Sequence, residues 1–168
     1  AQERFITIIP EIEIPGHSLG ALSAYPWLGC EGEEGNYKTW AYWGVSKQIA
    51  CAGKESTFKF WKDVLDEVMD LFPSEYIHIG GDETPTSAWA GNAECQALME
   101  KMNFTNTREL QSYFVRQISD HVTQKEGDKK RTIIMWNESL TANGTNVDLI
   151  AGTKGMMMCW ESGQVQPC

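Results

Sequence analysis

No stretch of this 168-residue chain approaches the roughly 20 consecutive apolar residues that a membrane-spanning helix needs. Basic side chains are scarce, 14 Lys and Arg against 23 Asp and Glu, and the net charge of −9 argues against a nucleic-acid or anionic-membrane partner. There is no internal repeat and no low-complexity segment. The five cysteines (Cys30, Cys51, Cys95, Cys159, Cys168) contain no CxxC pair and no Cys/His spacing of a metal site, so no metal ligands and no cofactor are expected. Cys30 and Cys51 flank one loop-rich stretch and can pair if the protein is secreted; the odd total leaves a free thiol or a missing partner. Nor is there a leader or a start methionine: Ala1-Gln2-Glu3-Arg4 runs straight into Phe5-Ile6-Thr7-Ile8-Ile9. The end, at Cys168, has no natural stop, so the sequence is expected to be a piece of something longer.

What is present is a composition suited to one packed domain, 42% hydrophobic, with seven tryptophans. Tryptophan offers flat apolar faces that suit sugar rings as well as cores. The chain begins with a nearly continuous apolar run, expected as a strand over 4–14, that stops at Pro15-Gly16 and is followed by His17. Residues 18–54 read as a long loop. A helix is expected over 57–72, with Trp61, Val64, Leu65, Val68 and Phe72 on one face and Ser56 or Thr57 as cap. A short strand from Tyr76 follows, then a short helix near 94–101. A helix over 107–123 has Leu110, Tyr113, Phe114, Ile118 and Val122 inward, and Asn106 and Glu109 at capping-box spacing. A third strand over 132–135 ends in Trp136-Asn137-Glu138, and a fourth over 155–159 ends in Trp160-Glu161.

Alternating strands and helices make parallel sheet. Every expected strand carries acids together with an aromatic or imidazole group at its carboxyl end, and in a (β/α)8 barrel those ends ring the mouth where active sites are built. Such a barrel takes about 250 residues. The fold class is therefore α/β, part of a (β/α)8 TIM barrel with about four of its eight strands.

The organising stretch is Tyr76-Ile77-His78-Ile79-Gly80-Gly81-Asp82-Glu83. Two glycines let the backbone turn sharply, and two adjacent carboxylates then sit at a strand mouth, where their mutual repulsion needs a reason. A solvated Asp-Glu turn is the plain alternative. Acids and tryptophans without a basic cluster suit a neutral, polyhydroxylated substrate, with one carboxyl kept protonated by burial and a like-charged neighbour to act as general acid. A metal-dependent hydrolase built on His78, Asp82 and Glu83 is a competing reading, disfavoured because Gly80-Gly81 interrupts the strand alternation.

His78-Ile79-Gly80-Gly81-Asp82-Glu83, with Pro10-Glu11-Ile12-Glu13-Ile14-Pro15-Gly16-His17 upstream and Met135-Trp136-Asn137-Glu138 downstream, resembles the family 20 glycoside hydrolases, the β-N-acetylhexosaminidases. The likeness runs over essentially the whole chain. It implies a partial catalytic domain over 1–168 that removes terminal β-linked N-acetylglucosamine or N-acetylgalactosamine from glycans or chitooligosaccharides. The implied mechanism is retaining and substrate-assisted, one of the exceptions to the two-carboxylate scheme. Glu83 falls at the general acid/base position and Asp82 at the position that polarises the 2-acetamido group. His17 matches a histidine that tunes the acid, and Glu13 stands where Asp is frequent. Trp136 and Trp160 match tryptophans around the sugar; Trp27, Trp40, Trp43, Trp61 and Trp89 are left to core or loop packing. A periplasmic, extracellular or lysosomal compartment is what the resemblance favours. A non-catalytic carbohydrate-binding remnant is the alternative, against which the intact Asp82-Glu83 pair argues.

Overall fold

The computed structural model describes residues 1–125, 130–153 and 155–160; the expectations placed on Glu161, Cys168 and the 126–129 turn lie outside them. Three parallel strands, β1 (Tyr76–His78), β2 (Thr132–Trp136) and β3 (Gly155–Met158), form a sheet in the order β1-β2-β3. Ile77 pairs with Ile133, and Ile134 with Met156. Beside β1 on the other flank lies an extended segment: His78 N donates to Pro10 O at 2.9 Å, Ile12 N to His78 O at 2.9 Å, and Ile14 N to Ile79 O at 3.3 Å.

The strand expected over 4–14 is thus corrected to its second half. Gln2–Arg4 is a 3-10 turn, and Phe5, Ile6, Ile8 and Ile9 are exposed. The cause is a missing neighbour: β1 begins only at Tyr76 and accompanies the chain from Pro10 onward, so earlier residues find no ladder partner among the described residues. Among the described residues the sheet therefore has three strands plus one bridged segment. With the helices between its strands, it has the α/β arrangement of part of a (β/α)8 barrel.

The long segment before the first large helix is more ordered than a loop: it holds α1 (Leu19–Ala24) and 3-10 turns at Pro26–Leu28 and Gly32–Glu34. Helix α2 (Glu55–Leu71) starts two residues before the expected 57, after Lys54, and has no side-chain cap from Ser56 or Thr57. Its buried stripe is Phe58, Trp61, Leu65 and Met69, with Val64 and Val68 flanking it. Phe72, expected on that face, lies past the helix end at Leu71 as its C-cap.

Helices α3 (Ala93–Met102) and α4 (Thr107–Thr123) follow β1. Helix α4 keeps both its expected bounds and its capping box: the Asn106 side chain accepts from Arg108 N and Glu109 N, while Glu109 Oε2 accepts from Asn106 N. Leu110, Phe114, Ile118 and Val122 of α4 are fully buried with Ile77, Ile79, Ile133 and Met135 of the sheet. Two short helices, α5 (Glu138–Thr141) and α6 (Val147–Ile150), lie between β2 and β3.

Trp61 and Trp89 are core residues, as expected. Trp40 and Trp43 are not: Trp43 is fully exposed and Trp40 packs edge-on to Tyr42, ring centroids 5.9 Å apart, in a segment without regular structure. Trp27 leans on Phe60 at 5.7 Å. No helix among the described residues is long and apolar enough to cross a membrane.

Candidate active site

The carboxyl ends of the bridged segment, β1 and β2 converge. Three side chains meet where the first two end. His17 Nε2 lies 3.5 Å from Asp82 Oδ2 and 3.3 Å from Glu83 Oε2. Asp82 is the more enclosed of the two acids, its side chain 16% exposed against 40% for Glu83.

Backbone turns aim these groups. Gly80 and Gly81 have φ of 67° and 97°. A Cβ on Gly80 would fall 2.0 Å from the Glu13 carboxylate, and one on Gly81 would fall 2.1 Å from Ser139 Oγ. Only glycine allows both the turn and the approach. His17 (φ 47°) and Glu83 (φ 44°) adopt the left-handed region without being glycine, a conformation that non-glycine residues rarely take and that clusters at functional sites.

Glu13 is packed under this group. Burial, with Glu11 and Asp82 beside it, pushes its carboxyl up to about 9. It therefore holds a proton at neutral pH, and Asp82 faces a neutral neighbour rather than a second charge. His78 points into the same layer. Its Nδ1 accepts the Gly80 N–H at 3.0 Å and lies 3.3 Å from Glu11 Oε1, and burial pushes its pKa down. His17, not His78, is the imidazole that joins Asp82 and Glu83, and these three are a group able in geometry to hold a cation.

The tryptophans attach to the site through acids. Trp136 Nε1 donates to Glu11 Oε1 at 2.9 Å, and its ring lies 4.7 Å from that of His78. Trp160 Nε1 donates to Glu138 Oε1 at 3.2 Å, and Glu138 Oε2 accepts the backbone N–H of Glu83 at 2.5 Å. Glu11 and Glu138 are the links between the indoles and the strand ends.

Three positioning residues were missed. Gln111 Nε2 donates to Gly81 O (2.8 Å) and Thr84 Oγ1 (3.2 Å), Ser139 Oγ donates to Gly81 O (3.1 Å), and Arg108 Nη1 donates to Thr84 O (3.2 Å) and Gln111 Oε1 (2.6 Å). Together they hold both ends of the Gly81-to-Thr84 turn. The available signal was Gln111 itself, a polar residue beside the apolar stripe of α4, fully buried here.

The parallel α/β layer carries acids, an imidazole and indoles at its strand ends, the edge at which a (β/α)8 barrel builds its site. Comparison with known proteins gives the family. The model of the glycosyl hydrolase family 20 catalytic domain matches residues 1–167, and the chain belongs to that family. It is 48% identical to a β-hexosaminidase of Porphyromonas gingivalis over 83% of this chain and 17% of that protein. Its fold matches the β-N-acetylhexosaminidase of Bacteroides fragilis with a TM-score of 0.75 at 36% identity, covering 95% of this chain and 29% of the other. It also matches the exo-β-N-acetylglucosaminidase of Vibrio harveyi in complex with N-acetylglucosamine, with a TM-score of 0.77 at 30% identity, covering 96% and 24%. The chain thus spans less than a third of the length of each of these relatives.

Proposed function

We propose that residues 1–168 form part of the catalytic barrel of a β-N-acetylhexosaminidase, and that the protein carrying them removes terminal, non-reducing β-linked N-acetylglucosamine or N-acetylgalactosamine from glycans or chitooligosaccharides. The observation that carries the mechanism is the contact of one imidazole with two consecutive carboxylates. A retaining enzyme with a protein nucleophile sets its two carboxyl groups about 5–5.5 Å apart across the bond to be broken. Two consecutive residues leaving one strand, both within reach of His17 Nε2, are poorly arranged to flank a bond from opposite sides. They suit two neighbouring parts of one sugar.

In this reading Glu83, the more exposed acid, protonates the glycosidic oxygen as the leaving group departs and later takes a proton from water. Asp82 accepts the N–H of the 2-acetamido group and turns its carbonyl oxygen toward the anomeric carbon. That oxygen attacks, and an oxazolinium ion forms with retention to follow. Asp82 stabilises the positive charge that grows on the amide. His17 holds both carboxylates in place. Glu13, carrying a proton, presses on Asp82 from below without adding charge, and Trp136 and Trp160 offer apolar faces to the sugar. The N-acetylglucosamine complex of the Vibrio harveyi relative supports the choice of sugar.

The test is turnover of aryl β-N-acetylglucosaminide and galactosaminide by the full-length protein, with Glu83→Gln and Asp82→Asn beside it. Both substitutions are expected to lower kcat by about 10²–10⁴-fold, the range acid–base catalysis supplies. Equal turnover of N-acetylated and plain glucosides would overturn the acetamido mechanism.

A further inference from the structure

Away from the strand ends, Cys30, Cys51 and Cys95 bring their sulfurs together from three distant segments: the turn after Pro26–Leu28, the approach to α2 and the first turn of α3. The separations are 2.8 Å (Cys30 to Cys51), 3.6 Å (Cys51 to Cys95) and 3.9 Å (Cys30 to Cys95). All three are free thiols, and Cys51 and Cys95 are fully buried. A fourth donor faces the group: Asn92 Oδ1 lies 3.7 Å from Cys51 Sγ. Spacing rules search for local pairs of ligands, and no such pair exists here, so the sequence pointed away from any metal.

The geometry points to a closed four-coordinate site for a thiophilic d10 cation, Zn2+, held by the sulfurs of Cys30, Cys51 and Cys95 and the carboxamide oxygen of Asn92. At a Zn–S distance of about 2.3 Å, tetrahedral ligands sit about 3.8 Å apart. Three of the four separations above already have that value within 0.2 Å. The fourth opens by rotation of Cys30, the partly exposed member of the set.

The backbone packs closely around the group. Gly53 can be nothing larger, since a Cβ would fall 2.4 Å from Cys95 N. Lys54 Nζ donates to Gly29 O, next to Cys30, at 2.7 Å and faces Glu94, next to Cys95, at 3.8 Å. Asn92 Oδ1 is oriented by the Cys95 N–H at 2.9 Å, and Asn92 Nδ2 by Cys30 O at 3.2 Å.

A dication makes thiolates of all three. Binding releases the thiol protons to solvent and changes no oxidation state. With four protein donors and no open position, the role is structural. The site clamps the turn at Cys30, the start of α2 and the start of α3 to one point. It lies one residue from Ala50, whose N–H donates to Pro15 O at 3.0 Å, two residues before His17.

The test uses the full-length protein, purified without added reductant, with metal content measured directly and the three cysteines probed by alkylation and mass spectrometry. About one Zn2+ per chain, protection of Cys30, Cys51 and Cys95 together, and an intense thiolate-to-metal absorption on Co2+ substitution are expected. Asn92→Ala should weaken Zn2+ binding by about tenfold or more, of the order seen when a metal site loses a supporting group. Asn92→Cys, which keeps four donors, should tighten it. A Cys30–Cys51 disulfide in the purified protein, free alkylation of all three thiols, or Zn2+ retained in full by Cys51→Ser would each overturn the site. None of these readouts depends on glycosidase activity.

Discussion

His17 and Glu83 touch at 3.3 Å, and both hold left-handed backbone conformations at φ of 47° and 44°. The contact and the strain are separable. His17→Ala removes the imidazole but keeps a Cβ, whereas His17→Gly also relaxes the backbone. Both variants should lose about one to two orders of magnitude in kcat, a part of what acid–base catalysis supplies. In thermal unfolding the Gly variant should be the more stable by about 1 kcal/mol, the scale of a relieved left-handed residue. Equal stability of the two would mean that the backbone at 17 is unstrained.

Glu13 should leave a signature in pH. Its carboxyl is raised to about 9 by burial and by Glu11 and Asp82, against 4.5 for the ordinary group. A raised carboxyl stabilises the fold fully below the ordinary value, and that contribution is lost as pH rises toward about 9. Between those limits, stability of the wild type should fall with pH more steeply than that of Glu13→Gln, which cannot ionise. Parallel melting-temperature curves for the two proteins from pH 5 to 9 would refute the raised value.

Gly81→Ala puts a methyl group 2.1 Å from Ser139 Oγ at φ 97°. A strained φ alone costs about 1–3 kcal/mol. The variant should melt lower and lose kcat, because Gly81 precedes Asp82 and Glu83. Gly81→Ala combined with Ser139→Gly, which removes the hydroxyl, should recover only the steric part. Full recovery of stability in the double variant would show that φ is not limiting.

Gln111→Leu tests the support of the turn. It leaves Gly81 O with the Ser139 hydroxyl as its remaining side-chain donor, strips a donor from Thr84 Oγ1, and takes the Arg108 guanidinium off its 2.6 Å partner. Loss of buried partners costs about 1–3 kcal/mol. A fall in kcat with KM little changed is expected, read by steady-state kinetics on the full-length protein. Unchanged kcat would mean that the turn is held without Gln111.

Asn106→Ala probes a feature far from the chemistry. It removes the acceptor for Arg108 N and Glu109 N and should cost about 1 kcal/mol in urea unfolding, with kcat unaffected.

Local chemistry was legible in the residues themselves. The bounds of α4 and its cap follow from Asn106, Glu109 and the spacing of Leu110, Phe114, Ile118 and Val122, because helix periodicity and capping act over a few residues. The Gly80-Gly81-Asp82-Glu83 turn was legible for the same reason: only glycine can take those φ values at such close approach. Parallel alternation likewise followed from the order of strands and helices.

Other features were decided by partners distant in sequence. Residues 4–9 look like a strand, yet a strand exists only where a neighbour offers hydrogen bonds, and β1 meets the chain at Pro10. His17 was named by the motif resemblance, but its contact with both Asp82 and Glu83 is made in space, across 65 and 66 positions. Gln111, Ser139 and Arg108 support the site from elements 30 or more residues away from Gly81 or 24 from Thr84, and no local pattern marks them. The three thiols converge across as many as 65 positions, which only folding brings within 4 Å. Propensity and periodicity reach a few residues along the chain; hydrogen bonds and sulfur contacts are set by distance in space, and only the packed sheet and helices supply that.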